Sequence, residues 1–247
     1  MERTKEKLDA YYTVKTHLKD YFYDRDPMSP DIQEVMKAGI LLPLRDPDDK
    51  GRRVFLMRPG KGDPSKIKMT SIIKVNMMIA DISLLDDDIH TIAGSVSLCD
   101  MRGMTIGHVT QMTPSLMKQT MVCFQDGYPL RPKGIHYIYS PQFFEAAFNL
   151  LKSLSKEKLR KRIFIHGDNM EEIFKVIPQR ILPKEYGGDG GTTEELAMEW
   201  KSKIESYRDW FMEDKNYGVD ESKRPGKPKT YEDLFGMEGS FRQLSVD

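Results

Sequence analysis

RPKGIHYIYSPQFFEAAFNLLKSLSKEKLRKR, residues 131–162, joins a basic turn, a short strand, an almost wholly apolar helix and a second basic run. Ile135 to Tyr139 is rich in β-branched and aromatic residues and closes at Ser140-Pro141, which predicts a buried strand. The helix then runs from Pro141 to about Ser153, with proline in the first turn where a missing N–H costs nothing. Gln142, Glu145, Asn149 and Lys152 form one narrow polar stripe, and Phe143, Phe144, Ala146, Ala147, Phe148, Leu150 and Leu151 cover the rest. That apolar arc is wider than a surface helix needs. Two readings follow: an ordinary core helix beside a solvated basic face, or an apolar lid beside a charged lip formed by Lys156, Lys158, Arg160, Lys161 and Arg162.

Outward from this stretch, short apolar strands alternate with long helical segments. Strands are expected at Val54–Met57, Ser95–Asp100 and Ile163–Ile165. Helices are expected over Thr4–Tyr23, Asp31–Ala38 with Gly39 as its cap, and Ser65 to about Leu85 with Ile67, Ile72, Val75, Met78, Ile79 and Ile82 inward. Others are expected over Thr110–Phe124 with Pro114 in its first turn or at a junction, from Met170 to near Pro178, and over Thr193–Met212. The segment Lys223–Lys229 reads as a linker, and the end from Leu234 to Leu244 as a docking tail. The alternation predicts an α/β fold in which helices cover a small sheet.

Composition narrows the function. The chain has 247 residues, enough for one large domain with small appendages. Its 38 basic residues balance 38 acidic ones, so no whole-molecule field draws it to nucleic acid or membrane, and any attraction is local. Cys99 and Cys123 have neither metal nor redox spacing and no signal peptide precedes them, which predicts a reduced, intracellular, cytoplasmic protein. No apolar run approaches the ~20 residues that span a bilayer. Sixteen methionines suit irregular cavities or adaptable surfaces.

The sequence carries no GxGxxG after a strand, no phosphate loop, no GxSxG elbow and no HExxH, which moves weight from catalysis to binding. The five histidines are scattered, although His136 and His166 sit where they can approach each other as rim or core residues. Asp86-Asp87-Asp88 reads as a solvated helix end rather than a metal site.

Four motifs carry a resemblance. They are Ile181-Leu182-Pro183-Lys184-Glu185-Tyr186-Gly187-Gly188; Ile165-His166-Gly167 with Asn169; Asp100-x-x-Gly103 followed by Thr113-Pro114; and Tyr128-Pro129-x-Arg131-x-x-Gly134-Ile135-His136 leading into the phenylalanine-rich helix. Their combined spacing, over about residues 40–212, resembles the CRAL-TRIO (Sec14-like) lipid-transfer family, within it the α-tocopherol transfer protein and retinaldehyde-binding protein group. The closing Gly239 to Leu244 is similar to tails in the arthropod branch of that group.

The resemblance implies a bowl with a small, mostly parallel sheet as floor and helices as walls. Its mobile gate helix falls on Pro141 to about Ser153. It implies one hydrophobic lipid, such as a tocopherol or retinoid, with no other cofactor, no metal and no catalysis. The expected cavity wall is Phe144, Ala147, Phe148 and Leu151 from the gate with Cys99, Met104, Phe124 and Ile135 from floor and wall, around ~300–1,000 Å³ of apolar space. In that group basic residues beside the gate bind phosphoinositide headgroups; carried over, the site falls on Arg131, Lys133, Lys158 and Arg162. A monomer acting peripherally at intracellular membranes is implied.

The domain reading is a remnant of an N-terminal helical subdomain at 1–38, the lipid-binding domain at 39–212 and a linker and docking tail at 213–247. Only the last N-terminal helix of the family pattern, Thr4–Tyr23, is matched, so Leu8, Tyr11, Leu18 and Phe22 are expected to stand exposed. Three functions remain in view: lipid transfer, a phosphoinositide-sensing or scaffold module, and an enzyme on the same scaffold.

Overall fold

The computed structural model describes residues 2–236; the tail motif Gly239 to Leu244 lies outside them. In chain order the elements are α1 (Glu2–His17), α2 (Lys19–Phe22), α3 (Pro30–Ala38), β1 (Leu41–Pro43), β2 (Arg53–Met57), α4 (Met69–Asp86), α5 (Asp88–Ala93) and β3 (Ser95–Asp100). They continue with α6 (Ile106–Gln111), α7 (Pro114–Val122), β4 (Pro132–Ile138), α8 (Glu145–Leu154), α9 (Glu157–Arg160) and β5 (Ile163–Ile165). The chain closes with α10 (Met170–Phe174), α11 (Thr193–Ser206), α12 (Arg208–Asp214) and α13 (Tyr231–Phe235). The fold is α/β, as the alternation predicts. The strands form one five-stranded sheet in the order β1-β2-β3-β4-β5, antiparallel at β1–β2 and parallel elsewhere.

Register decides which residues share a face. Leu56, Leu98, His136 and Phe164 lie in one row across the parallel strands, and Met57, Cys99, Tyr137 and Ile165 lie in the next, on the opposite face. Helices cover both faces, and β2 is accordingly apolar without a break from Val54 to Met57. On the first face Val54, Leu56, Val96 and Leu98 are fully buried against Ile173, Ile177, Leu182 and Leu196. Each buried aliphatic side chain contributes roughly 1.5–3 kcal/mol. The second face divides: α4 covers its β1–β2 side and α8 its β4–β5 side.

The quoted motifs have local reasons. A Cβ on Gly60 would lie 2.2 Å from the Arg102 carbonyl, and Gly103 has φ +79°, so this close crossing of two turns needs glycine in both. Asp100 accepts from the Tyr186 hydroxyl at 2.6 Å, which ties the turn after β3 to the Pro183–Gly188 loop. A Cβ on Gly188 would meet the Leu182 carbonyl at 2.1 Å. Thr113 caps α7, with Pro114 in its first turn, and Asn169 caps α10.

Several expectations change. The first long helix breaks at Leu18, and the last breaks at Tyr207. Leu18 and Phe22 are buried and the Tyr11 hydroxyl donates to Asp81 at 3.0 Å; of the four residues expected to lack partners, Leu8 alone is exposed. Lys15, on the same helix, is also buried and pairs with Asp214. Arg25, 1% exposed, bridges Asp81 at 2.6 Å and Asp214, while the Tyr128 hydroxyl donates to Asp81 at 2.7 Å. This network joins the N-terminal helices to α4 and α12. The supposed linker is also packed: Arg224 pairs with Asp9 at 2.7 Å and bonds the Thr13 hydroxyl at 2.9 Å. Phe235 of α13 is buried beside Val14 and Leu18. Asp86 and Asp87 are engaged rather than merely solvated, Asp86 with Lys203 at 2.7 Å and Asp87 with Arg53 at 2.8 Å.

Candidate functional site

The strand β4 leaves the sheet through Tyr139, a non-glycine residue at φ +54°. Its N–H donates to the Gly167 carbonyl at 2.6 Å, and the Arg102 guanidinium lies 4.4 Å from its ring centre. After Pro141 a 3-10 turn, Gln142–Phe144, leads into α8. Glu145 in its first turn and Lys152 in its last suit the helix dipole. Phe144, Ala147 and Phe148 turn inward, whereas Phe143 remains 41% exposed. At the other end, the Gln125 side-chain amide donates to the Leu154 carbonyl at 3.3 Å and its oxygen accepts from the Lys156 N–H at 2.7 Å. Lys156 also pairs with Asp126.

Under α8 lies an apolar cluster. Cys99, Met101, Met104, Phe144, Ala147, Phe148 and Ile163 are buried in it, with Ile135 and Leu151 at its half-buried edge. Tyr137 meets Phe148 edge to face at 5.3 Å between ring centres, and Phe144 and Phe148 lie 6.3 Å apart. The Cys99 sulfur is 3.8 Å from the Met57 sulfur. Burial pushes the Cys99 thiol up to about 12, so it stays protonated and unreactive at neutral pH.

Seven of the eight expected wall residues therefore meet in one place. Phe124 does not: the wide π turn Cys123–Gly127 carries it to the separate cluster around Val14, Leu18 and Cys123. Within that cluster Tyr137, Phe144 and Phe148 pack against one another. Two hollows lie elsewhere, and the wall residues line neither. One, of about 10 Å³, sits between α3, α4 and α11. The other is a polar surface groove of about 610 Å³ that includes Lys19, Asp20, Lys68 and Lys74. Met57, Met101, Tyr137 and Ile163 belong to the cluster without having been singled out in the sequence. Only the parallel register, which no local pattern in the sequence shows, puts Met57, Cys99 and Tyr137 in one row.

The basic residues partly converge. The Arg162 guanidinium donates to the Pro132 carbonyl, between Arg131 and Lys133, and the Ile135 N–H donates to the Arg162 carbonyl at 2.8 Å. Lys158 stands one helical turn upstream, exposed, on the α9 turn that continues to Arg162 through the Arg162 N–H to Leu159 carbonyl bond of 2.8 Å. Among the described residues none of these four forms an ion pair, whereas neighbouring Lys156 and Lys161 pair with Asp126 and Glu157.

On the other face, His136 Nδ1 and His166 Nε2 approach to 2.9 Å, and Phe164 stacks on His136 at 5.0 Å. Burial, with His166 alongside, lowers His136 to about 4, so it is neutral at pH 7. Among the described residues no group of three or more His, Cys, Asp or Glu is placed to hold a metal ion. No helix among them is long and apolar enough to cross a membrane.

With β3, β4, β5 and α8 placed, comparison with known proteins is informative. Residues 37–188 match the CRAL/TRIO domain family model, and the chain belongs to that family, as a Sec14-like member. Human alpha-tocopherol transfer protein-like is 27% identical over 213 residues, covering 86% of this chain and 61% of the relative. Human clavesin-2 is 27% identical over 225 residues, covering 89% and 66% respectively. The chain therefore spans less than two thirds of the length of either relative. Among solved structures, the crystal structure of Sfh5 superposes with a TM-score of 0.50 at 17% identity, covering 76% of this chain and 72% of that one. It shares the fold.

Proposed function

We propose that this protein is a non-enzymatic carrier that holds one hydrophobic lipid between α8 and the sheet and transfers it between membranes. In this reading α8 is the gate, and the lipid takes the place that Phe144, Phe148 and Tyr137 fill when α8 is down. Arg131, Lys133, Lys158 and Arg162 bind a phosphoinositide headgroup and bring the gate to the bilayer. The carrying observation is the adjacency of a buried, methionine-rich apolar cluster to cations that form no ion pair among the described residues. Several such donors suit a multiply charged phosphate. The name of the tocopherol transfer-like relative supports the lipid class, with a tocopherol or a retinoid as candidate cargo. A monomeric, cytoplasmic carrier that visits membranes transiently fits this reading.

The test is transfer of a fluorescent hydrophobic lipid between vesicles with and without phosphatidylinositol bisphosphate. Lys158→Ala with Arg162→Ala should lower the phosphoinositide-dependent rate about thirtyfold, since each juxtamembrane cation contributes about 1 kcal/mol near an anionic surface and every 1.4 kcal/mol is about tenfold. Lipid loading in solution should stay near wild type. Unchanged phosphoinositide binding by the double variant would remove the lip from the mechanism. The tight packing of Tyr137, Phe144 and Phe148 favours a second reading, a phosphoinositide-sensing or scaffold module that moves no lipid. Mass spectrometry of lipid extracted from the native protein separates the two: a stoichiometric lipid supports the carrier.

A further inference from the structure

The short helix α5 presents Ile89 and Ile92 to solvent, 63% and 71% exposed, three residues apart and so on one face. Helix stability does not account for them, because isoleucine is a weaker helix former than alanine, leucine or glutamate. The helix carrying them is firmly held. Asp87 caps it by accepting from the His90 N–H at 2.8 Å and pairs with Arg53. The buried His90 ring packs against Phe55 at 5.4 Å between ring centres.

What lies beside the isoleucines gives the surface its chemistry. The Arg131 guanidinium donates to the Ile92 carbonyl at 3.3 Å. The Arg131 carbonyl accepts from the Ser95 N–H at 3.1 Å, and the Lys133 chain runs past Gly94. Ile92 therefore stands next to the basic turn, while Asp88, the one exposed acid of α5, opens the helix at its far end. Exposed apolar side chains on a rigid helix, flanked by cations that form no ion pair among the described residues, match an anionic lipid surface. The chains enter the headgroup–acyl boundary and the cations meet phosphates.

We propose that Ile89 and Ile92 are a membrane-inserting wedge that works with Arg131 and Lys133 on an anionic bilayer. The inference rests on the headgroup reading of the basic lip and adds to it a contact with the bilayer itself. It predicts a salt-resistant part of membrane binding, because apolar insertion is not screened as the lip's attraction is.

The experiment compares the full chain with Ile89→Ser/Ile92→Ser on phosphatidylcholine vesicles with and without phosphatidylinositol bisphosphate, at low and high salt. A soluble-headgroup arm uses inositol trisphosphate. Loss of two partly inserted isoleucines should weaken binding to the phosphoinositide vesicles about tenfold. The deficit should persist at high salt, with inositol trisphosphate binding unchanged. As a direct readout, Ile92→Cys is labelled with an environment-sensitive dye; Cys99 and Cys123 are buried, so the label goes to position 92. The dye should shift to the blue on these vesicles and be quenched by brominated lipid. If wild type sediments with the vesicles while the dye stays unresponsive and the double variant binds as wild type, the wedge is wrong and the lip stands. If the double variant loses inositol trisphosphate binding equally, the isoleucines only shape the lip and insertion is likewise wrong. If wild type itself ignores phosphoinositide vesicles, the headgroup reading and the wedge fall together.

Discussion

The N-terminal junction and the cluster under α8 are both buried, yet they are built from opposite materials. At the junction Arg25, Lys15, Asp81 and Asp214 are held by charge and hydrogen bonds, with Tyr11 and Tyr128 completing the set around Asp81. Under α8 the contacts are sulfur, aromatic and aliphatic. A buried ionic network has few satisfactory arrangements, because each misplaced partner leaves an uncompensated charge. Methionine and phenylalanine surfaces have many arrangements of similar energy. The molecule places its geometric precision where the N-terminal helices join the body, and its adaptability under α8, where the proposed lipid would sit.

That contrast breaks most visibly at Arg25. Replacing Arg25 with alanine leaves the buried Asp81 with tyrosine hydroxyls but no cation, and Asp214 with Lys15 alone, and should cost about 3–5 kcal/mol in urea unfolding. A loss no larger than that of a conservative change under α8 would erase the distinction.

A smaller effect extends the comparison to the far face of the sheet, where His136 is buried neutral. Its folded value of about 4 lies below the ordinary 6.5, so the unfolded chain binds the extra proton between those values. The stability it contributes is complete above about pH 6.5 and is lost as pH falls toward 4. Between pH 7 and pH 4.5, wild type should lose about 2 kcal/mol more than His136→Asn, read as the difference between their urea midpoints. Parallel pH profiles would show that the His136–His166 contact carries no such linkage.

The smallest effect is expected inside the adaptable cluster. Met104→Leu conserves volume and should cost under about 1.5 kcal/mol, with lipid transfer retained. A collapse of stability there would mean that the cluster is as exacting as the Arg25 network.

Local chemistry made much of this legible in the sequence. Ser95–Asp100 and Ile163–Ile165 read as strands because short segments ended at the turn residues Arg102-Gly103 and Gly167, and Gly39 read as a helix cap, where it has φ +58°. The spacing in α8 pointed to Phe144, Ala147, Phe148 and Leu151 as one face. Long-range pairing was not legible. Nothing local marks Lys15 as half of a buried ion pair, because its partner, Asp214, lies 199 residues away. Leu41–Pro43 was missed as a strand because proline argues against a central strand, and its antiparallel place at the sheet edge tolerates it. Phe124 went astray because one wide turn after α7 rotates everything beyond it. Arg162 meets the Arg131–Lys133 turn through a backbone carbonyl, that of Pro132, which no side-chain pattern reveals.

The two ends of α8 are fastened by different means. Its entrance turns on Tyr139, fixed by a backbone bond to Gly167 and by the Arg102 guanidinium against its ring. Its exit depends on the Gln125 amide and the solvent-accessible Lys156–Asp126 pair, which ions or headgroups compete for readily. A door with a stiff hinge and a weak catch swings from the catch side. On the carrier proposed above, opening of α8 would therefore begin at Leu154, at the margin where the lysines and arginines gather, and the lipid would leave towards the surface that released the catch.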